Sequence, residues 1–221
     1  MTPWAAVPAP EPRPVVAAFD VDGTLTTRDC VVPFLRRVAG TRRLGLGLGR
    51  QAAHIAPALA RRDRNALKAQ AALIVFRGRP YADIEASGRE FAAYVRHAIL
   101  RPDVLERLAW HRRMGHHLVL VSASFGVYLR PLAEALGVDG VVATELAVED
   151  ARCTGALIGG NCRGIEKVIR LHAYLDERCG GRKAVDLWAY GDSPGDLELL
   201  ADADHAVWAK GHLTPAPEAI T

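Results

Sequence analysis

The stretch AAFDVDGTLTTRD, residues 17 to 29, runs an apolar segment into two aspartates, Asp20 and Asp22, and then into Gly-Thr. The run from Val15 to Val21 is short, carries β-branched residues and shows no polar alternation, which is the pattern of a strand covered on both faces. HHLVLVSAS (116–124), AVDLWAYGDS (184–193) and the shorter HAVWA (205–209) repeat that pattern. The first three runs are followed by a turn and helix-like sequence. Strands alternating with helices predict an α/β fold built on a parallel sheet.

Between the first and second runs no comparable strand occurs. AAHIAPALARR, NALKAQAALIVF and YADIEASGREFAAYVRHAIL have helical periodicity instead. The segment 33–100 therefore reads as a small α-helical cap inserted after the first strand, with 15–32 and 101–221 forming the catalytic core. GLGLG (45–49) follows no strand, so it is not a dinucleotide fingerprint and is expected to be a flexible helix start. VVATELAVEDARCTGALIGG (141–160) alternates around a polar turn and predicts a hairpin or edge strands. Residues 1–14, rich in Pro and Ala, read as a disordered tail rather than a signal peptide.

Charge is divided unevenly along the chain. From Pro33 to Arg101 there are 14 Lys and Arg against 4 Asp and Glu, while the remainder is net acidic and the whole chain carries only +3. Half of the residues are hydrophobic, enough for a normal core. Nothing approaches the roughly 20 uninterrupted apolar residues of a membrane span. Cys30, Cys153, Cys162 and Cys179 have no CxxC spacing, so free thiols and a reducing cytoplasm are expected.

In an open parallel sheet, ligands bind beyond the carboxyl ends of the strands. Three such ends here supply Asp20, Asp22 and Thr24; Ser122 and Ser124; and Asp192 and Asp196. Four acids in one crevice repel each other unless a cation neutralises them, and oxygen ligands with no His or Cys nearby favour Mg²⁺. Lys167, in GIEKVIRL, lies near a helix start, where a lysine opposes the helix dipole. Individually the acids have plainer explanations: Asp196 in SPGD fits a helix N-terminus and Asp22-Gly23 a turn.

Together, DVDGTL, LVLVSAS, Lys167 and YGDSPGDLELL resemble the four ordered motifs of the haloacid dehalogenase-like hydrolase superfamily. The helical insert resembles the small cap of its phosphoserine-phosphatase-like branch, subfamily IB. The resemblance implies a Rossmann-like core and an Mg²⁺-dependent phosphatase. In it, Asp20 is the nucleophile that forms an aspartyl-phosphate, and Asp22 is the general acid and base. Ser122 and Lys167 bind the phosphoryl group. Asp20, the Asp22 carbonyl and Asp192 hold the metal, with Asp196 and Thr24 in support.

Phosphoserine phosphatases carry Glu where this chain has Asp29, Gly-Gly where it has Ala123-Ser124, and Asn where it has Gly195. These departures disfavour L-phosphoserine and bring phosphatidylglycerophosphate phosphatases into view through DCVVPFLRR. The basic insert then predicts a small or lipid-linked anionic phosphate monoester, with Asp29, Ser124, Lys68 and Arg77 facing it. Nucleic acid is not expected as a partner; peripheral membrane contact and the oligomeric state are left open. The rival readings are a phosphotransferase or mutase of the same fold and a non-catalytic anion-binding module.

Overall fold

The computed structural model describes residues 12–215. A six-stranded sheet has the order β4-β3-β2-β1-β5-β6, with β1 Val15–Phe19, β2 His117–Phe125, β3 Gly140–Glu149, β4 Arg152–Ile158, β5 Asp186–Gly191 and β6 His205–Trp208. All neighbours are parallel except β3 and β4, which form an antiparallel hairpin at the edge. The fold is thus α/β and Rossmann-like, with β1 at the centre. Chain order reverses between β1 and β5, which makes the crevice beyond their carboxyl ends the natural ligand site.

Side chains of β1 alternate between two layers. Val16 and Ala18 pack with Leu171 and Leu175 of α8 (Ile165–Arg178) and Leu199 of α9 (Leu197–Asp202). Ala17 and Phe19 point the other way, toward α6 (Pro102–Arg113) and α7 (Gly126–Leu136). This burial on both faces is why the strand sequences are apolar throughout.

The interval between β1 and β2 is helical: α1 Val31–Ala39, α2 Thr41–Arg50, α3 Ala52–Ala60, α4 Arg64–Phe76 and α5 Tyr81–Ala98. Aromatic contacts weld α1 and α5 to α7 and α4 to β2. Phe34 meets Tyr128 at 4.8 Å between ring centres, Phe76 meets Phe125 at 5.2 Å and Phe91 meets Tyr128 at 5.1 Å. GLGLG does not start a helix. It lies within α2, where a Cβ on Gly47 would sit 2.5 Å from the Ile74 side chain, so glycine permits α2 to approach α4.

The expected disordered tail falls outside the described residues for 1–11. Arg13 and Pro14, by contrast, are tied down: Arg13 pairs with Asp204 at 3.3 Å, and the Pro14 carbonyl accepts the Asp186 amide at 3.0 Å. All four cysteines are free. No helix among the described residues is long and apolar enough to cross a membrane.

Candidate active site

After β1 the chain leaves the sheet through a tight turn, Val21–Leu25. Gly23 has φ of +91°, and a Cβ there would lie 2.4 Å from Asp192 Oδ2. Only glycine lets this backbone pass against the acid that follows β5. Thr24 Oγ1 donates to Asp192 Oδ1 at 3.1 Å and fastens the two strand ends together. Gly23→Ala is therefore expected to cost about 1–2 kcal/mol from the left-handed backbone alone and to displace Asp192. Denaturant melts and a rate assay on the same sample measure both effects, and an unchanged rate would separate Asp192 from the chemistry.

Lys167 projects from the first turn of α8 into the crevice and is buried. Its Nζ donates to Asp20 Oδ1 and to Asp196 Oδ1, each at 2.6 Å. Desolvation opposes the ammonium charge, but the two acids beside it raise its pKa above the ordinary lysine value. Burial pushes Asp20 up to about 7; Lys167 works against that shift, and Asp196 and Asp22 add to it. Asp196 moves the other way: Lys167 and its bonds to Ser193 outweigh burial and lower its pKa. Its carboxylate accepts from the Ser193 amide at 3.0 Å and hydroxyl at 2.7 Å and makes no capping bond to α9. The helix-start explanation for this acid does not hold.

Oxygens of Asp20, Asp192 and Asp196 lie within 4.8 Å of one another. Three carboxylates at this spacing, with one lysine between two of them, hold more negative charge than the lysine offsets. A set made only of oxygen donors suits a hard divalent cation. The donor set therefore fits Mg²⁺, and it brings Asp196 as close as the two acids assigned to the metal.

Asp22 stands apart from that cluster. Its Oδ2 accepts from Ser124 Oγ at 2.5 Å and its Oδ1 from the Cys30 amide at 2.8 Å. Burial raises its pKa, against the pull of the Ser124 hydrogen bond and with the help of Asp29. A carboxyl held so, with its pKa raised by burial, is placed to exchange a proton with a group bound in the crevice. Ser122 is fully buried, and its Oγ accepts the Ser124 amide at 3.1 Å.

These groups open into a cavity of about 650 Å³, which Asp29 and Lys68 also line. Asp29 Oδ2 accepts the Val32 amide at 3.0 Å and so helps start α1. Lys68 is buried rather than waiting at the surface. Its Nζ donates to the Ala123 carbonyl, lies 3.4 Å from Thr144 Oγ1 and stands 4.4 Å over the Phe125 ring. Burial lowers its pKa to about 8, although Asp22 acts in the opposite sense.

Arg77 is not brought to the site: it is exposed at the end of α4 and does not line the cavity. The reason is helix phase. Nine residues after Lys68 is two and a half turns, so both side chains cannot face one cavity.

Several lining residues were not singled out from the sequence: Arg64, Asn161, Arg163 and Ser193. Asn161 bridges Asn65 of α4 at 2.8 Å and Thr144 of β3 at 3.1 Å, tying the insert to the sheet. A Cβ on Gly195 would fall 2.8 Å from the Arg163 guanidinium carbon, so the glycine in SPGD leaves room for that cation.

An α/β enzyme whose carboxylates gather at the reversal between β1 and β5 is the class that this fold and this geometry define. The chain belongs to the haloacid dehalogenase-like hydrolase family, whose model matches residues 17–201. It is 38% identical over 193 residues to Protein CicA of Caulobacter vibrioides, spanning 87% of this chain and 84% of that protein. A probable phosphatase of Mycobacterium tuberculosis is 31% identical over 119 residues, covering 50% of this chain and 39% of its own. Among solved structures, a Bordetella pertussis protein of unknown function shares the fold with a TM-score of 0.72, 22% identity and 86% of both chains covered. A phosphoserine phosphatase in a phospho-aspartyl analogue form shares it with a TM-score of 0.54 and 19% identity, covering 86% of this chain and 84% of its own.

Proposed function

We propose that this protein hydrolyses phosphate monoesters through an aspartyl-phosphate on Asp20, with Mg²⁺ as cofactor. The observation that supports this most directly is the buried Lys167 bonded to both Asp20 and Asp196, with Asp192 completing the acid cluster at the cavity wall. Family membership and the similarity to a probable phosphatase agree with it.

In the first half-reaction a carboxylate oxygen of Asp20 attacks phosphorus and the ester oxygen leaves. Asp22 gives that oxygen its proton, so the alcohol departs neutral. In the second half-reaction the Asp22 carboxylate takes a proton from water, and the oxygen of that water attacks the phosphorus of the aspartyl-phosphate. Orthophosphate leaves and both acids return to their starting forms. Ser124 and the Cys30 amide orient Asp22 for both transfers. Lys167 and Ser122 hold the phosphoryl oxygens, and Lys167 offsets the charge that builds up beside Asp20. Mg²⁺ would be held by Asp20, Asp192 and the Asp22 carbonyl with Asp196 beside them, and when bound it supplies charge neutralisation for the incoming phosphate.

Helices α1–α5 act as the cap over this site. Lys68, Arg64 and Arg163 face an anionic substrate, while Val31, Val32, Leu35 and Ile55 offer it an apolar wall. Both features favour an anionic phosphate with an apolar portion over a small polar ester such as phosphoserine. Its free cysteines suit work in a reducing cytoplasm.

A panel of phosphomonoesters, beginning with an aryl phosphate, tests the reading. Phosphate release is expected with Mg²⁺ and is expected to fall at least about 100-fold, roughly 2.7 kcal/mol of barrier, in excess chelator. Undiminished turnover in chelator would remove the metal from the mechanism. Failure to release phosphate from any monoester would leave the anion-binding module as the better account.

A further inference from the structure

We infer that the outer face of α2 and α3 docks on an anionic lipid surface. Among the described side chains of α3, the exposed ones are Ala52, Ala53, Ala56, Pro57, Leu59 and Ala60, and none of these is charged or hydrogen-bonding. Leu59 is 64% exposed, and Leu46 on α2 is 65% exposed. A helix whose described solvent-facing side chains are all apolar is normally covered by something.

Charge identifies what covers it. Arg42 and Arg50 flank Leu46 on the exposed side of α2, and Arg61 and Arg62, also exposed, follow α3 directly. From Cys30 to Arg62 the sequence contains no Asp or Glu. An apolar stripe bordered by arginines with no acid in the segment matches the interface between acyl chains and anionic headgroups. A protein partner would need to be both acidic at its rim and apolar at its centre, whereas an anionic bilayer provides both at any orientation of the molecule.

The position of this face gives docking a consequence. Ile55, on the inward side of α3, lines the active-site cavity, so a bound membrane lies about one helix diameter, roughly 10 Å, from the cavity wall. Going beyond hydrolysis in solution, this arrangement places the enzyme where phosphate monoesters with apolar tails reside. Docking itself requires no catalysis, so its failure would leave the phosphatase reading intact.

Flotation of the full chain with phosphatidylcholine vesicles and with vesicles containing phosphatidylglycerol tests the proposal. Binding is expected only to the second. The double variant Leu46→Ser/Leu59→Ser is expected to bind at least about tenfold more weakly, since two leucines no longer enter the interface. The triple variant Arg50→Ser/Arg61→Ser/Arg62→Ser is expected to lose about fivefold per arginine. Both sets are solvent-exposed and lie outside the cavity, so melting temperature and turnover of a soluble aryl phosphate should match the parent. No flotation with either vesicle overturns the proposal, as does flotation that survives the leucine changes. It is equally overturned if the leucine variants instead dissociate a dimer seen by sedimentation, or if an RNA homopolymer binds the face as tightly as the anionic vesicles do.

Discussion

Asp20→Asn is expected to abolish turnover, by at least about 10⁴-fold or roughly 5.4 kcal/mol of barrier, in a protein that still folds. The amide keeps an oxygen at the position that accepts from Lys167 at 2.6 Å, so the internal hydrogen bond survives. What is lost is the negative charge that attacks phosphorus. The carboxylate is also an unfavourable group where it stands, because burial and the adjacent acids push its pKa up to about 7. An acid whose folded pKa is raised weakens the fold above that pKa, and the penalty fades as pH falls toward its unfolded value. The variant should therefore unfold no earlier than the parent at pH 8, while its phosphate release disappears. A rate within about tenfold of the parent, roughly 1.4 kcal/mol of barrier, would remove Asp20 as nucleophile. Beryllofluoride with Mg²⁺, which mimics an aspartyl-phosphate, should raise the melting temperature of the parent and leave that of the variant unchanged.

The acids were legible because strand ends in a parallel sheet are legible. Near-continuous apolar runs mark β1, β2 and β5, and whatever polar residue closes such a run has to sit at the crevice. Lys167 was legible for a similar reason, as a lysine at a helix start where the dipole disfavours it. The walls of the cavity were less accessible to such reasoning. Whether Lys68 or Arg77 faces inward depends on how α4 is rotated against β2, and that rotation is set by Phe76 packing on Phe125, a contact between residues far apart in the chain. Arg163 has no motif around it, and its place follows from the space beside Gly195. Asp196 shows the limit of local pattern in the other direction. Its spacing from Ser193 and Pro194 fits a helix start, yet its carboxylate turns inward to Lys167 and Ser193.

Lys167→Met is the substitution expected to damage both the fold and the chemistry. Methionine approximates the length of the lysine stem and fills the same buried space, so little packing is lost. The ammonium that bonds Asp20 and Asp196 is lost, however, and two buried acids are left without it. Breaking a buried ion pair by removing one partner costs about 3–5 kcal/mol. The pH dependence identifies the cause. In the parent, Lys167 has a raised pKa, so its contribution is fully present below the unfolded lysine value and is lost only as pH rises through the higher folded one. The lysine therefore keeps its charge throughout pH 5 to 8. In the variant, Asp20 and Asp196 regain stability by taking up protons, so the deficit should be greatest near pH 8 and narrow toward pH 5. Denaturant unfolding of both proteins at the two pH values measures it. A deficit that stays the same at both would point to lost packing rather than unpaired acids. Turnover should vanish at either pH, since protonating Asp20 to relieve the repulsion also removes the nucleophile.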